Sequence, residues 1–231
     1  MNAASESSSS VLLVPGSWHG AWAYEDVAPR LTGAGVSVTV IDLPSNDGAA
    51  GLADDAAAIR SALDDIGEPT VVVGHSYGGI AVSEGAAGAP AAVGLVYLAA
   101  FMLDVGESLL DAMQHQLPDW ISLDQAADSH IAERSAEVLY GDCSPEVAAR
   151  AAARLSRQSV AAIATPQTAA AWQTLPSTYL ICEEDRAVPP PVQEAMAARA
   201  STVRRVPASH SPFFSRPDDV AAVVLEALGR R

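Results

Sequence analysis

The sequence predicts an α/β fold, a mostly parallel sheet of about six strands with helices on both faces and a small helical cap. Three observations predict it. Short apolar runs rich in β-branched residues alternate with helical patterns, and most of these runs lack the strict polar alternation of a half-exposed strand, which is the mark of a parallel sheet covered on both sides. A Gly-x-Ser-x-Gly motif lies between one such run and a helix-compatible segment. The rhythm breaks once, over residues 101–177, where helical, polar-flecked sequence replaces it.

Each element has its own signal. Val11–Val14 reads as a buried strand that stops at Pro15-Gly16, and Trp22–Thr32 as a helix ending near Gly33 and Gly35. Val36–Ile41 is β-branched and reads as a strand, followed by the loop Asp42–Gly48. Leu52–Ile66 has apolar residues at helical spacing (Ala56, Ile59, Ala62, Leu63, Ile66) and ends at Gly67. Thr70–Val73 is a strand, then come the serine turn, a helix to about Ala87, and the strand Val93–Leu98. After the insertion follow a strand at Thr178–Cys182, a helix at Val192–Ala200, a strand at Thr202–Val206 and a helix at Pro217–Leu228 with Pro at its start and Gly229 after its end. The expected organisation is a disordered tail over 1–10, a core over 11–100 and 178–231, and a helical cap over 101–177.

The motif is Gly74-His75-Ser76-Tyr77-Gly78. A serine there sits on a tight, strained strand-to-helix turn with its hydroxyl exposed, and the flanking glycines avoid collisions with neighbouring backbone. A serine hydroxyl is a weak nucleophile until a base takes its proton and an acid orients that base. Of five histidines, His210 is preferred as base, since it lies in the loop between the last strand and the last helix. His19 near the first loop is the rival. Asp185, just after the strand Thr178–Cys182, is preferred as acid over Asp104. The order Ser76, Asp185, His210 is a known chain order for such a triad. Oxyanion donors are expected at the backbone N–H of Tyr77 and of Ser17, the latter in the glycine-containing loop Pro15–Gly20. Gly16, Trp18, Phe101, Leu103, Trp120 and Trp172 are the candidate substrate-pocket residues, although Trp18, Trp120 and Trp172 also fit a packing role.

Composition bounds the reading. A chain of 231 residues can bury one sizeable core. The net charge of −15 argues against nucleic acid and anionic membranes. Two cysteines, Cys143 and Cys182, make no disulfide scaffold, and no His/Cys spacing resembles a zinc site. No apolar run is long enough to span a bilayer, and the first ten residues lack the features of a signal peptide, so a cytoplasmic protein is expected.

The segments VLLVPGSWHGAWAY, VVVGHSYGGIAV, LVYLAAF, EEDRAVPP and SHSPFFSRPDDV, spread from Val11 to Val220, resemble the α/β-hydrolase family, and within it the small-cap branch of plant methyl esterases and hydroxynitrile lyases. The resemblance implies Ser76, His210 and Asp185 as the triad, donors at Ser17 and Tyr77, and a small helical cap over an apolar pocket. Two departures bear on activity. Gly16 stands where the lyases carry threonine, and Ser211 where they carry a lysine for the departing cyanide. The expected function is a serine hydrolase (esterase) that cleaves a small hydrophobic or aromatic carboxylic ester or lactone through an acyl-enzyme, with no cofactor or metal. The expected partner is the small-molecule ester alone, with no nucleic acid and no membrane, and the protein a monomer or homodimer. The alternatives are a lyase using the same triad and a non-catalytic ligand-binding protein on the same scaffold.

Overall fold

The computed structural model describes residues 10–46 and 48–230. The expected tail falls outside these residues except for Ser10, which opens the first strand and pairs with Ser37 and Thr70. The strands are β1 (Ser10–Val14), β2 (Ser37–Val40), β3 (Thr70–His75), β4 (Ala92–Leu98), β5 (Ile121–Asp124), β6 (Ser129–Ala132), β7 (Gln158–Ser159), β8 (Ser177–Cys182) and β9 (Thr202–Val206). The helices are α1 (Ala28–Gly33), α2 (Leu52–Ile66), α3 (Gly78–Gly85), α4 (Leu109–Ala112), α5 (Ser135–Val138), α6 (Pro145–Ala152), α7 (Val160–Ala164), α8 (Pro190–Ala197), α9 (Pro212–Ser215) and α10 (Pro217–Ala227).

The main sheet has six strands in the order β2-β1-β3-β4-β8-β9, every pair parallel. From β1 the chain steps outward to β2, returns past β1 to β3, and then advances in one direction. The order therefore reverses between β1 and β3, and a crevice opens at the carboxyl ends of strands where it does so. Successive side chains of one strand enter opposite layers. Leu12 and Val14 join one core with Ile59 and Leu63 of α2 and Ile80 of α3. Val11 and Leu13 join the other with Leu31 of α1 and Val220 and Val224 of α10. This two-sided burial is the reason the strands read as unbroken apolar runs.

Two stretches depart from the sequence expectation. The helix expected over Trp22–Thr32 is divided into a single 3-10 turn, Ala21–Tyr24, and α1. Pro29 has no N–H to donate, and its ring would collide with the carbonyl four residues earlier in a continuous helix, so the helix starts anew around it. The insertion between β4 and β8 carries short helices and also a small antiparallel sheet, β5-β6-β7. Its hairpin is turned by Asp124, whose Oδ1 accepts the backbone N–H of Ala126 and Ala127. At four residues, β5 and β6 are too short for their alternation to outweigh the surrounding helical pattern. The inner part of this cap packs around Trp18, Trp120, Leu139 and Tyr140.

Between the sheet and the cap lies a buried layer that is not apolar. His19 is 1% exposed, donates from Nδ1 to the Ser17 carbonyl (3.0 Å) and accepts at Nε2 from the Tyr140 hydroxyl (2.8 Å). That pairing requires the neutral ring. Desolvation moves its pKa down to about 3, and that of His130 in β6 down to about 4. The His75 pKa is also held well below its usual value, by burial and by the nearby His210 and His19.

Two expectations follow from this packing. Ile59→Ala removes a fully buried side chain of α2 and is expected to cost about 2–5 kcal/mol in urea unfolding. Val105→Ala, at a position 52% exposed in the loop after β4, is expected to stay within about 0.5 kcal/mol. The buried histidines make stability depend on pH. In the unfolded chain imidazoles bind protons near pH 6.5, whereas these three bind them only at lower pH in the fold. Below about pH 6.5 the unfolded chain therefore holds more protons and stability falls. The slope is up to about 1.4 kcal/mol per pH unit for each histidine. Urea midpoints measured from pH 7 down to pH 5 are expected to fall steadily, and a flat profile would contradict the buried neutral assignment.

Candidate active site

The site forms at the reversal of strand order, where the loops after β1 and β3 meet. Ser76 follows β3 with φ +52°, a left-handed conformation unusual for a residue with a side chain. Its strain is held by backbone contacts: Ser76 N–H donates to the Leu98 carbonyl (3.2 Å), and the Ser76 carbonyl accepts from Gly79 (3.0 Å) and Phe101 (3.1 Å). The turn can be this tight only because Gly78 has no side chain, since a Cβ there would run into the Pro15 carbonyl. Gly16 serves the same approach from the other side. A Cβ on it would come within 2.8 Å of both Ser76 Cβ and His75 Nδ1.

Three predicted residues from three separate loops converge. His210 Nε2 lies 3.0 Å from Ser76 Oγ and accepts its proton. His210 Nδ1–H donates to Asp185 Oδ2 at 2.7 Å. All three side chains are buried, with Ser76 the most exposed at 8%. The Asp185 carboxylate is fully engaged. Oδ1 accepts from the backbone N–H of Ala187 (2.8 Å) and Val188 (2.9 Å), and Oδ2 also accepts from Gln193 Nε2 (2.9 Å). These hydrogen bonds fix the orientation in which the carboxylate holds the His210 ring. The arrangement is the Ser-His-Asp triad of a serine hydrolase.

The rivals are occupied elsewhere. Both ring nitrogens of His19 are used by Ser17 and Tyr140. Asp104 lies in the loop after β4, where Oδ1 accepts from Val105 N–H and Gln173 Nε2. His75 points beneath the site and donates from Nε2 to the His210 carbonyl (2.9 Å), supporting the base from its backbone.

Above the triad lies a narrow cavity of about 30 Å³. Its walls include Ser17, Ser76 and His210, the predicted Trp18, Phe101 and Trp120, and aliphatic cap residues among which are Leu109, Met113, Leu117 and Ile163. Leu103 and Trp172 are not among the lining residues. Leu103 is 1% exposed in the core, and its carbonyl accepts from Trp172 Nε1 (2.7 Å) and Gln167 Nε2 (2.9 Å). The Trp172 ring also meets the Arg199 guanidinium at 5.6 Å, so both residues brace the start of the insertion. Gly16 is likewise a neighbour of the nucleophile rather than a wall. Both cysteines are free, and among the described residues no cluster of His, Cys, Asp and Glu could hold a metal ion.

Sequence reasoning missed the residues that hold the site in shape. Asn46 accepts Trp18 N–H at Oδ1 (3.0 Å) and donates from Nδ2 to the carbonyls of Gly16 (3.2 Å) and His19 (2.8 Å). It thereby fixes the loop after β1, in which Trp18 has φ +65°. Asp55 of α2 is buried, accepting the Tyr77 hydroxyl (2.6 Å) and Ser45 N–H (2.9 Å), and desolvation raises its pKa. Gln193 bridges Asp185 to β8 by accepting Cys182 N–H at Oε1 (2.9 Å). The one sequence signal was negative: an acid at the inward face of α2 and a glutamine at that of α8 interrupt otherwise apolar stripes.

Comparison with known proteins agrees with this geometry. Residues 11–223 match the model of the Alpha/beta hydrolase family. The chain is 35% identical over 240 residues to the alpha/beta hydrolase nvfD of Aspergillus novofumigatus, covering 95% of this chain and 96% of that one. It is 28% identical over 247 residues to methylesterase 7 of Arabidopsis thaliana, covering 93% and 94%. The crystal structure of a pyrethroid hydrolase from Sphingobium faniae JZ-2 superimposes with a TM-score of 0.81 at 23% identity, covering 96% of this chain and 97% of that chain. Taken with the triad, the family match over nearly the whole chain means that this protein belongs to the alpha/beta hydrolase family.

Proposed function

We propose that the protein is an esterase that cleaves a small, neutral carboxylic ester with a hydrophobic or aromatic part, or the equivalent lactone, through an acyl-enzyme. The observation that carries this reading is the Ser76-His210-Asp185 relay opening directly into an apolar cavity. In the first half-reaction Ser76 Oγ attacks the ester carbonyl while His210 Nε2 takes its proton. Asp185 keeps the Nδ1–H tautomer and stabilises the imidazolium. The oxyanion that forms is received by the backbone N–H groups of Ser17 and Tyr77. In support, neither amide has a hydrogen-bond partner among the described residues, and each belongs to a loop held rigid by Asn46 or Asp55. His210 then protonates the leaving alcohol and activates water to release the acid.

An ester is favoured over a cyanohydrin because Ser211 offers no cation beside His210, and the relative named as a methylesterase points the same way. The substrate is the partner we propose, with no nucleic acid, in keeping with the net charge of −15, and with the protein cytoplasmic and a monomer or homodimer. Among the described residues no helix is long and apolar enough to cross a membrane.

Hydrolysis of short p-nitrophenyl esters is expected in the wild type and to fall by at least about three orders of magnitude in Ser76→Ala. Equal rates in both would sink the reading. Asn46→Ala is expected to lower kcat by about 10- to 100-fold with KM little changed, because the Ser17 amide loses its fixed position. Steady-state kinetics alongside thermal unfolding separates this from a loss of folded protein, and a pure rise in KM would contradict it.

A further inference from the structure

The cavity over Ser76 is lined by a titratable side chain that the proposed hydrolysis does not use. His130, in β6 of the cap, lines the same cavity as Ser76 and His210. It is 1% exposed, yet neither Nδ1 nor Nε2 has a hydrogen-bond partner among the described residues. A buried polar group normally finds a partner, and one that lacks it awaits a ligand or carries a penalty.

The ring is firmly placed. Its backbone pairs with Leu123 on one side and Gln158 on the other. Its carbonyl accepts Trp18 Nε1 (3.1 Å), and the imidazole meets the Trp18 ring edge-on at 5.3 Å. Such a ring, anchored through its backbone and one aromatic face, holds two nitrogens that no group among the described residues satisfies. Burial keeps it neutral near pH 7, so it offers one N–H donor and one ring-nitrogen acceptor. Among the described residues, no Lys, Arg, Asp or Glu lines the cavity. A charged group on the ligand would therefore be desolvated without a counter-ion. The complementary group is neutral.

We propose that His130 is a specificity-determining residue that reads a second, uncharged polar group of the substrate, a hydroxyl set on a ring that packs between Trp18, Trp120 and the aliphatic cap residues. This rests on the ester reading above and narrows it to hydrophobic esters bearing one such group away from the scissile bond. A site that hydrogen-bonds a substrate hydroxyl discriminates strongly against the analogue lacking it, because the buried partner is then left unpaired.

The test is binding to Ser76→Ala, which needs no turnover, measured by calorimetry with matched pairs. One pair series is ethyl benzoate against ethyl 3- and 4-hydroxybenzoate, and the other phenyl acetate against 3- and 4-hydroxyphenyl acetate, so that either half of the ester can face His130. At least one hydroxylated member is expected to bind about tenfold or more tightly than its parent. In Ser76→Ala/His130→Leu that ratio is expected to fall to near one. In Ser76→Ala/His130→Gln, which keeps a donor and an acceptor, part of it should return. A ratio that survives His130→Leu, the absence of any hydroxyl preference, or no measurable binding of any member overturns the proposal. If His130→Leu fails to fold, His130→Phe supplies the same comparison. A hydroxyl preference in binding with no hydrolysis of any ester by the wild type would instead remove the esterase reading and leave the role of His130 standing.

Discussion

The site depends on one close approach: the loop after β1 lies directly against the turn that carries Ser76. Glycine at 78 lets the turn reach the Pro15 carbonyl, and glycine at 16 lets the loop return the contact beside the nucleophile. Neither side can retreat, because parallel β1 and β3 are neighbours in the sheet with matched register up to Val14 and Gly74. The strained φ of Ser76 is thus imposed by the packing of two strands already committed to the core. The same juxtaposition sets the loop after β1 beside the nucleophile, which makes the sheet order itself part of the site's geometry.

Around this contact the polar groups form a continuous scaffold. Tyr77 is tied through its hydroxyl to Asp55, Asp55 to the backbone of Ser45, and the adjoining Asn46 to three backbone groups of the β1 loop. On the other side Gln193 links Asp185 to β8, and His75 supports the backbone of His210. Asp185, the His210 backbone and Tyr77 are therefore each held by a further buried polar group, and hydrogen bonds of this kind fix geometry more tightly than apolar packing alone.

Much of this was legible in the sequence, and the reason is local. The strands of the main sheet are buried on both faces, so their composition alone identifies them. Ser76, His210 and Asp185 each sit where a strand ends and a loop begins, so their roles follow from position. The illegible parts depend on distance in the chain. Asn46 meets Gly16 across thirty residues, and Gln193 meets Asp185 only because one turn of α8 folds back on it. The three-stranded cap sheet was hidden because β7 has only two residues and finds its partner in β6 nearly thirty residues earlier. Leu103 and Trp172 show the converse: their apolar character marked them as pocket walls, whereas backbone hydrogen bonding places them in the brace of the insertion. Pro29 was a plain sequence signal whose steric consequence outweighed the helical pattern around it.

The bridge between Asn46 and Gln158 divides the cap into two parts of different mechanical standing. Gln158 also donates to the Ser45 hydroxyl, and Ser159 N–H to the Ser45 carbonyl, so β7 is joined to the same two residues that set the β1 loop. The stretch from α4 through α6 has no such tie to Ser45 or Asn46. It behaves as an outer wall hung on an inner post. The wall shapes the chamber and also reaches the β1 loop directly, through Tyr140 on His19 and the His130 carbonyl on Trp18. A single-residue insertion at the post would shift the bridge by one step, and the misfit would be passed along Asn46 to the backbone beside Ser76. Substrate range and catalytic competence are therefore written in adjacent lengths of the same insertion.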